Sequence, residues 1–164
     1  MIDGKKLSAI VPVRAGSQRV INKNIKKFAD SNLIDIKLSE LKKVSKIDEI
    51  ILIFGCGGNR DKGKRKQMAL IANKYADKVI VTSDNPRDEN PYDILNTIEK
   101  NLSINNEVIE SREDAIKRGL MLVKKKSVLL IAGKGHENFQ EVKGVKTPFS
   151  DKEVALTNIG LINN

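Results

Sequence analysis

The stretch Glu49–Arg65, EIILIFGCGGNRDKGKR, decides the fold. Within it, Ile50–Phe54 is an uninterrupted apolar run, which is typical of a strand that is covered on both faces of a parallel sheet. Glycines and basic residues follow, and apolar residues at helical spacing begin near Lys66. A strand, a glycine-rich loop and a helix in this order indicate an α/β protein.

The same alternation of strand and helix patterns continues on both sides of this stretch. It predicts one continuous α/β unit of the Rossmann-like three-layer α/β/α class, with a mainly parallel sheet. The first two strands should be joined by a helix in a right-handed crossover. Apolar runs predict strands over Leu7–Val13, Glu49–Phe54, Lys78–Val81, Glu107–Ile109 and Ser127–Ala132. Helical spacing and serine N-caps predict helices over Leu33–Val44, Lys66–Ala76, Tyr92–Leu102, from Ser111 to about Lys124 and from Ser150 to about Ile162.

Composition limits the classes of partner. The length of 164 residues fits one domain or two small ones, and the net charge of +9 favours anionic partners. Because aromatic residues are only 4% of the chain, no base-stacking platform is visible, so we expect a carboxylated or phosphorylated small molecule and no nucleic acid. A solvated lysine-rich surface without a partner is the alternative. No apolar run is long enough for a membrane span, and the single Cys56 excludes an internal disulfide. We therefore expect a cytoplasmic protein; its oligomeric state stays open.

The loop after the second predicted strand nearly fits a P-loop. Gly58–Lys64 has the GxxxxGK spacing in a strand–loop–helix context. However, Arg65 has no hydroxyl to hold Mg²⁺, and Asp61 would put a carboxylate where a triphosphate should lie. The sequence therefore favours a loop that binds a carboxylate or phosphate through Arg60 and backbone amides.

Two further loops follow predicted strands, where open α/β sheets bind ligands. In the DNPR segment, Asn85 offers an amide and Arg87 a bidentate fork, which suits a ligand with carboxylate and ammonium groups; an ordinary turn is the alternative. In the loop Gly133–Glu137, glycines allow close approach and the glutamate can accept from an ammonium group. The single His136 lacks a nucleophile motif or metal-ligand spacing, so we predict no catalytic and no metal-binding residue.

From about residue 53 onward the sequence resembles the C-terminal domain of the Mur ligases, which build peptidoglycan precursors. The matching segments are FGCGGNRDKGKR, ADKVIVTSDNPRDENP, VIESREDAIKRGL, VLLIAGKGHENFQ and FSDKEVA, in family order. The branch resembled adds the third residue to UDP-N-acetylmuramoyl-L-alanyl-D-glutamate, and its DNPR form is associated with meso-diaminopimelate. The resemblance implies that Arg60 grips the amino acid, that Asn85 and Arg87 bind its distal end, and that Gly133 and Glu137 hold its second amino-acid centre.

The resemblance also implies what this chain does not do. Complete ligases of the family use ATP and Mg²⁺ to phosphorylate the D-glutamate carboxylate, which the amine then attacks. No GTNGKT-like ATP-binding loop occurs in the sequence, so we expect the chain to bind no cofactor and to be inactive alone. The implied partners are an amino acid and a UDP-muramyl peptide.

A second resemblance covers about Leu7 to Ile51. IVPVRAGSQRVINKN is similar to the opening of the sugar-acid cytidylyltransferases, whose loop binds CTP. We therefore predict two segments, 1–52 and 53–164, that meet near residues 50–54. A CTP-binding fragment and a fused or decayed frame without activity are the alternative functions. The candidate CTP-binding residues are Arg14, Gly16, Ser17, Arg19, Lys23 and Asn24.

Overall fold

The structure, a computed structural model, describes residues 33–135 and 137–162. The helices are α1 (Leu33–Lys42), α2 (Gly63–Tyr75), α3 (Pro91–Glu99), α4 (Arg112–Leu122) and α5 (Asp151–Ile162). The strands are β1 (Glu49–Phe54), β2 (Lys78–Val81), β3 (Asn106–Val108), β4 (Ser127–Ala132), β5 (Phe139–Val142) and β6 (Val145–Pro148). Four of these strands form one parallel sheet in the order β3-β2-β1-β4, and β5 and β6 form an antiparallel hairpin.

Strand β1 lies inside the sheet and is buried on both faces, as its apolar run predicted. Its alternating side chains face two separate clusters, because successive side chains of a strand point to opposite sides. Leu52 and Phe54 pack with α1, α2 and α3 on one side. Ile51 and Ile53 pack with α4 and α5 on the other. This arrangement of helices, sheet and helices confirms the predicted three-layer α/β class.

The strand predictions were the most accurate. β1, β2 and β4 have the predicted bounds, whereas β3 is shifted by one residue. Helix α2 begins three residues earlier than predicted, at Gly63, whose amide donates to the Asp61 carboxylate. The N-cap at Ser111 is confirmed by its bond from the Asp114 amide. The predicted strand Leu7–Val13 and its crossover lie outside the described residues.

The β5–β6 hairpin was not predicted. Its side chains are half-buried or exposed, and in each strand two polar residues lie between two apolar ones, so the strands show no apolar alternation. A β-bridge joins Arg87 to Val142, so the hairpin lies against the loop after β2.

The parallel sheet brings three loops to one edge. Phe54 is paired with Val81 on one side and with Ala132 on the other, so β1, β2 and β4 end at the same level. The loops 55–62, 82–90 and the one that begins at 133–135 therefore leave the sheet side by side. Across residues 33–135 and 137–162, no helix combines the length and apolar character that crossing a membrane requires.

Candidate functional site

The loops after β1 and β2 are joined backbone to backbone. The Gly58 amide donates to the Asn85 carbonyl at 2.9 Å, and Nη1 of Arg87 donates to the Gly58 carbonyl at 2.9 Å. A Cβ atom on Gly58 would lie 1.8 Å from the Pro86 carbonyl oxygen, so only glycine permits this approach. The pairing fixes both loops relative to each other.

A half-buried ion pair joins α2 to the loop after β2. Arg65, only 3% exposed, donates through Nη2 to both carboxylate oxygens of Glu89 at 2.8–2.9 Å. The same carboxylate accepts from the Asn59 amide at 2.7 Å, in a turn where Asn59 has a φ of 52°. The hydrogen bond from Arg65 holds the pKa of Glu89 below its ordinary value.

This geometry does not fit the ATP and Mg²⁺ that a P-loop would hold. The position of the metal-binding hydroxyl is occupied by Arg65, whose guanidinium is turned to Glu89. The Asp61 carboxylate already accepts from the Gly63 amide at 2.9 Å, so that amide cannot cradle a phosphate. No group of three or more side chains suited to hold a metal occurs in the described part of the chain.

Two arginines border the same glycine. A Cβ atom on Gly57 would lie 2.9 Å from Nη1 of Arg87 and 3.7 Å from Cγ of Arg60. Arg60 is exposed and its side chain forms no ion pair with another described residue. Burial lowers the pKa of nearby Lys64, and the charge of Arg60 acts in the same direction. These cations make the surface around Gly57 suitable for a carboxylate.

The hairpin positions Arg87. The Arg87 amide donates to the Glu141 carbonyl at 3.2 Å, and the Lys143 amide donates to the Arg87 carbonyl at 2.8 Å. These bonds hold Arg87 at a φ of 53°, in the left-handed region that few non-glycine residues adopt. Its Nε lies 3.5 Å from the Glu141 carboxylate. The hairpin thus supplies the support of a predicted site residue.

Asn85 and Glu137 meet although 52 positions separate them in the sequence. Nδ2 of Asn85 donates to Oε2 of Glu137 at 3.0 Å. Oδ1 of Asn85 accepts from Nζ of Lys134 at 2.8 Å and from the Glu141 amide at 3.0 Å. The loops after β2 and β4 therefore share one hydrogen-bonded cluster.

Gly133 lies over a buried arginine. It has a φ of 122°, a conformation available mainly to glycine, and a Cβ there would lie 3.5 Å from Nη2 of Arg112. Arg112 donates through Nε and Nη2 to both carboxylate oxygens of Asp151 at 2.7 and 2.8 Å. It also donates to the carbonyls of Ser83 at 3.3 Å and Ala132 at 3.0 Å, which ties the ends of β2 and β4 together.

The structure places the predicted amino-acid-binding residues in one region. Arg60 and Arg87 lie beside Gly57, and Asn85 contacts Glu137. Gly133 follows β4, as Glu137 does. Sequence reasoning missed three supporting residues, because no local pattern marks an ion pair between distant segments. These are Lys134, Arg112 and Arg65, which are all buried. Lys134 belongs to the GKGHE motif, in which only Gly133 and Glu137 were predicted as binding residues. The candidate CTP-binding residues and His136 lie outside the described residues.

Two family models match the chain. One is described as Mur ligase, glutamate ligase domain, and matches residues 35–135. The other is described as Cytidylyltransferase and matches residues 8–53. The two matches share residues 35–53, which contain most of α1 and nearly all of β1. The division at residue 52 stays a prediction.

The relatives described here share one name. A UDP-N-acetylmuramoyl-L-alanyl-D-glutamate--2,6-diaminopimelate ligase of Rickettsia felis is 43% identical over 157 residues, covering 90% of this chain and 29% of the relative. The Phocaeicola vulgatus protein of that name is 51% identical over 109 residues, covering 64% of this chain and 22% of the relative. A solved structure of a ligase with this name has a TM-score of 0.78 at 32% identity, covering 96% of this chain and 30% of that one. The chain thus spans less than a third of the length of these relatives.

Proposed function

The chain belongs to the Mur ligase family, with the C-terminal domain as its matching part, and from this premise we propose that it binds meso-diaminopimelate for amide-bond formation. The observation that carries the proposal is the convergence of three loops at one sheet edge, with Asn85 in contact with Glu137. The relatives are named as 2,6-diaminopimelate ligases, and this name suggests the substrate. The proposed binding residues are Arg60, Asn85, Arg87, Gly133 and Glu137.

The side chains complement the charges of this ligand. Meso-diaminopimelate has two carboxylates and two ammonium groups. Arg60 and Arg87 both have side-chain atoms beside Gly57, and their guanidinium groups can donate charged hydrogen bonds to a carboxylate. Glu137 supplies the acceptor for an ammonium group. Gly133 leaves the backbone open beside that centre.

The chain's part in the reaction is to position the amine. Holding the amine near the carbon that it attacks makes a bimolecular reaction effectively unimolecular, which lowers its activation free energy. We assign ATP, Mg²⁺ and formation of the acyl phosphate to the part of the relatives that this chain does not span. The chain alone is therefore proposed to bind the amino acid without joining it to the UDP-muramyl peptide. Titration calorimetry with MgATP is expected to show no heat of specific binding.

Ligand-detected NMR with meso-diaminopimelate and lysine tests the proposal. Lysine lacks the distal carboxylate and therefore cannot accept the charged hydrogen bond that Arg87 would donate to it. A charged hydrogen bond contributes about 1.5–3 kcal/mol, so lysine should bind about 10- to 150-fold more weakly. Arg87→Ala should weaken diaminopimelate binding by the same factor and abolish the preference. Arg118→Ala, which removes an exposed arginine paired with Glu107, is the matched control and should change neither.

Equal binding of the two amino acids to the wild type would contradict the assignment. So would an Arg87→Ala variant that keeps the wild-type preference. Circular dichroism of each variant establishes that a loss of binding does not reflect a loss of fold.

The CTP-binding alternative depends on the cytidylyltransferase match to residues 8–53. We favour the ligase role, because the Mur ligase match covers 101 residues, from 35 to 135, against 46 residues from 8 to 53. CTP is a further ligand in the same NMR experiment. Saturable CTP binding that Arg14→Ala abolishes would instead support the alternative.

A further inference from the structure

We propose that Lys134 is a positioning residue that makes the amide of Asn85 a pure hydrogen-bond donor toward the site. In this arrangement Glu137 has to accept the hydrogen bonds of the ligand's ammonium group. The Asn85 amide can donate only to a carboxylate, either that of the ligand or that of Glu137. The inference rests on the proposed function, since it states how that site distinguishes the two kinds of charge on its ligand.

Lys134 is built into the protein interior. Its exposed fraction is 0%, and its Nζ is surrounded by oxygen atoms. Nζ donates to Oδ1 of Asn85 at 2.8 Å and to the Phe139 carbonyl at 2.8 Å, and it lies 3.4 Å from Oδ1 of Asp84. Burial lowers the pKa of Lys134, and the charge of Asp84 opposes that change. Three oxygens around one nitrogen fit an ammonium group, because ammonium has three donors and no acceptor.

The contacts of Asn85 settle which way its amide points. Lys134 Nζ and the Glu141 amide both face the same atom of the Asn85 side chain, at 2.8 and 3.0 Å. Both are donors without acceptor capacity, so this atom has to be the oxygen. Rotating the amide by half a turn would set its NH₂ group against two donors and its oxygen against the Glu137 carboxylate.

The fixed Asn85 amide determines which charged group of the ligand it can bind. The Asn85 NH₂ group points to Oε2 of Glu137 at 3.0 Å. An ammonium group of the ligand finds no acceptor on Asn85, because Oδ1 already accepts two bonds. Without Lys134, the Asn85 oxygen would keep only one of its two donors, the Glu141 amide. The amide would then turn more often into the flipped orientation, in which its oxygen faces the Glu137 carboxylate.

The amide signals of Asn85 test this role without any ligand. They are assigned by their loss in Asn85→Asp. In the wild type we expect NOEs from the Asn85 NH₂ protons to the γ-protons of Glu137. In Lys134→Met we expect these NOEs to be lost and the NH₂ protons to exchange with solvent at least about tenfold faster. Lys124→Met, at an exposed lysine before β4 on the opposite edge of the sheet, is the control and should leave the signals unchanged.

Binding is measured on the same variants with meso-diaminopimelate. Lys134→Met should weaken it about tenfold, the effect of one misaligned charged hydrogen bond. Since Lys134→Met leaves Asp84 buried without its cation, the double variant Lys134→Met/Asp84→Asn is the second test. It removes both buried charges and should show the same NMR changes.

The outcomes separate the two proposals. Unchanged Asn85 signals and an unchanged dissociation constant in both variants would overturn the role of Lys134. NOEs from the wild-type NH₂ protons to the Glu141 amide in place of Glu137 would overturn it as well. Loss of the NOEs between Asn85 and Glu137 in the variants, with no diaminopimelate binding to the wild type, would support the role of Lys134 and reject the proposed function.

Discussion

The ion pair between Arg112 and Asp151 is expected to stabilise the edge of the sheet from which the three site loops leave. The two side chains are 0% and 1% exposed and form two hydrogen bonds, at 2.7 and 2.8 Å. Burial opposes the charge of Arg112, but the hydrogen bond and charge of Asp151 outweigh it and raise the pKa of the guanidinium. If Asp151 is replaced, Arg112 stays charged, because a guanidinium is not deprotonated in proteins. Its buried charge then loses its carboxylate partner.

Asp151→Asn is the perturbation that isolates this effect. It preserves the shape of the side chain and one acceptor oxygen while removing the charge. Removing one partner of a buried pair costs about 3–5 kcal/mol. For a chain of this length that corresponds to a fall of about 6–20 °C in the midpoint of thermal unfolding, at about 2–4 °C per kcal/mol.

The matched control is a second bidentate pair at the surface. Arg118 donates to both carboxylate oxygens of Glu107 at 2.8 and 3.0 Å, with side chains 43% and 28% exposed. Glu107→Gln breaks this pair in solvent, so it should cost less than about 1 kcal/mol. Urea unfolding followed by circular dichroism measures the free energy of unfolding of all three proteins. Similar losses in the two variants, or a loss below about 1 kcal/mol in Asp151→Asn, would refute the reasoning from burial.

The remaining predictions concern reactivity, loop pairing and capping. Burial raises the pKa of the Cys56 thiol to about 12, so it stays protonated at pH 8; a thiol reagent should label it slowly in the folded protein and rapidly in urea. Gly58→Ala should separate the two arginine-bearing loops, because its Cβ would meet the Pro86 carbonyl; diaminopimelate binding should fall at least about tenfold, and unchanged binding would contradict the loop model. Ser111→Ala removes the bond from the Asp114 amide and should cost about 1 kcal/mol in urea unfolding, whereas Ser39→Ala, inside α1, should cost less.

The amino-acid sequence determined the layers of the fold. Strands β1, β2 and β4 were predicted with their observed bounds, because a strand covered on both faces requires a continuous apolar run. It also placed Arg60, Arg87 and Glu137 on loops that leave one edge of the sheet, since parallel strands end their βα units on the same side. Those inferences need only local patterns and one rule of topology.

Only the tertiary structure decided how the site is held. Arg65 pairs with Glu89 across 24 positions, and Arg112 pairs with Asp151 across 39. The orientation of Asn85 depends on Lys134, which is 49 positions away. No period or propensity in the sequence selects one partner among 21 carboxylates for a given cation. The choice is made when packing removes the charged groups from water, because an unpaired charge in the interior is far more costly than one at the surface.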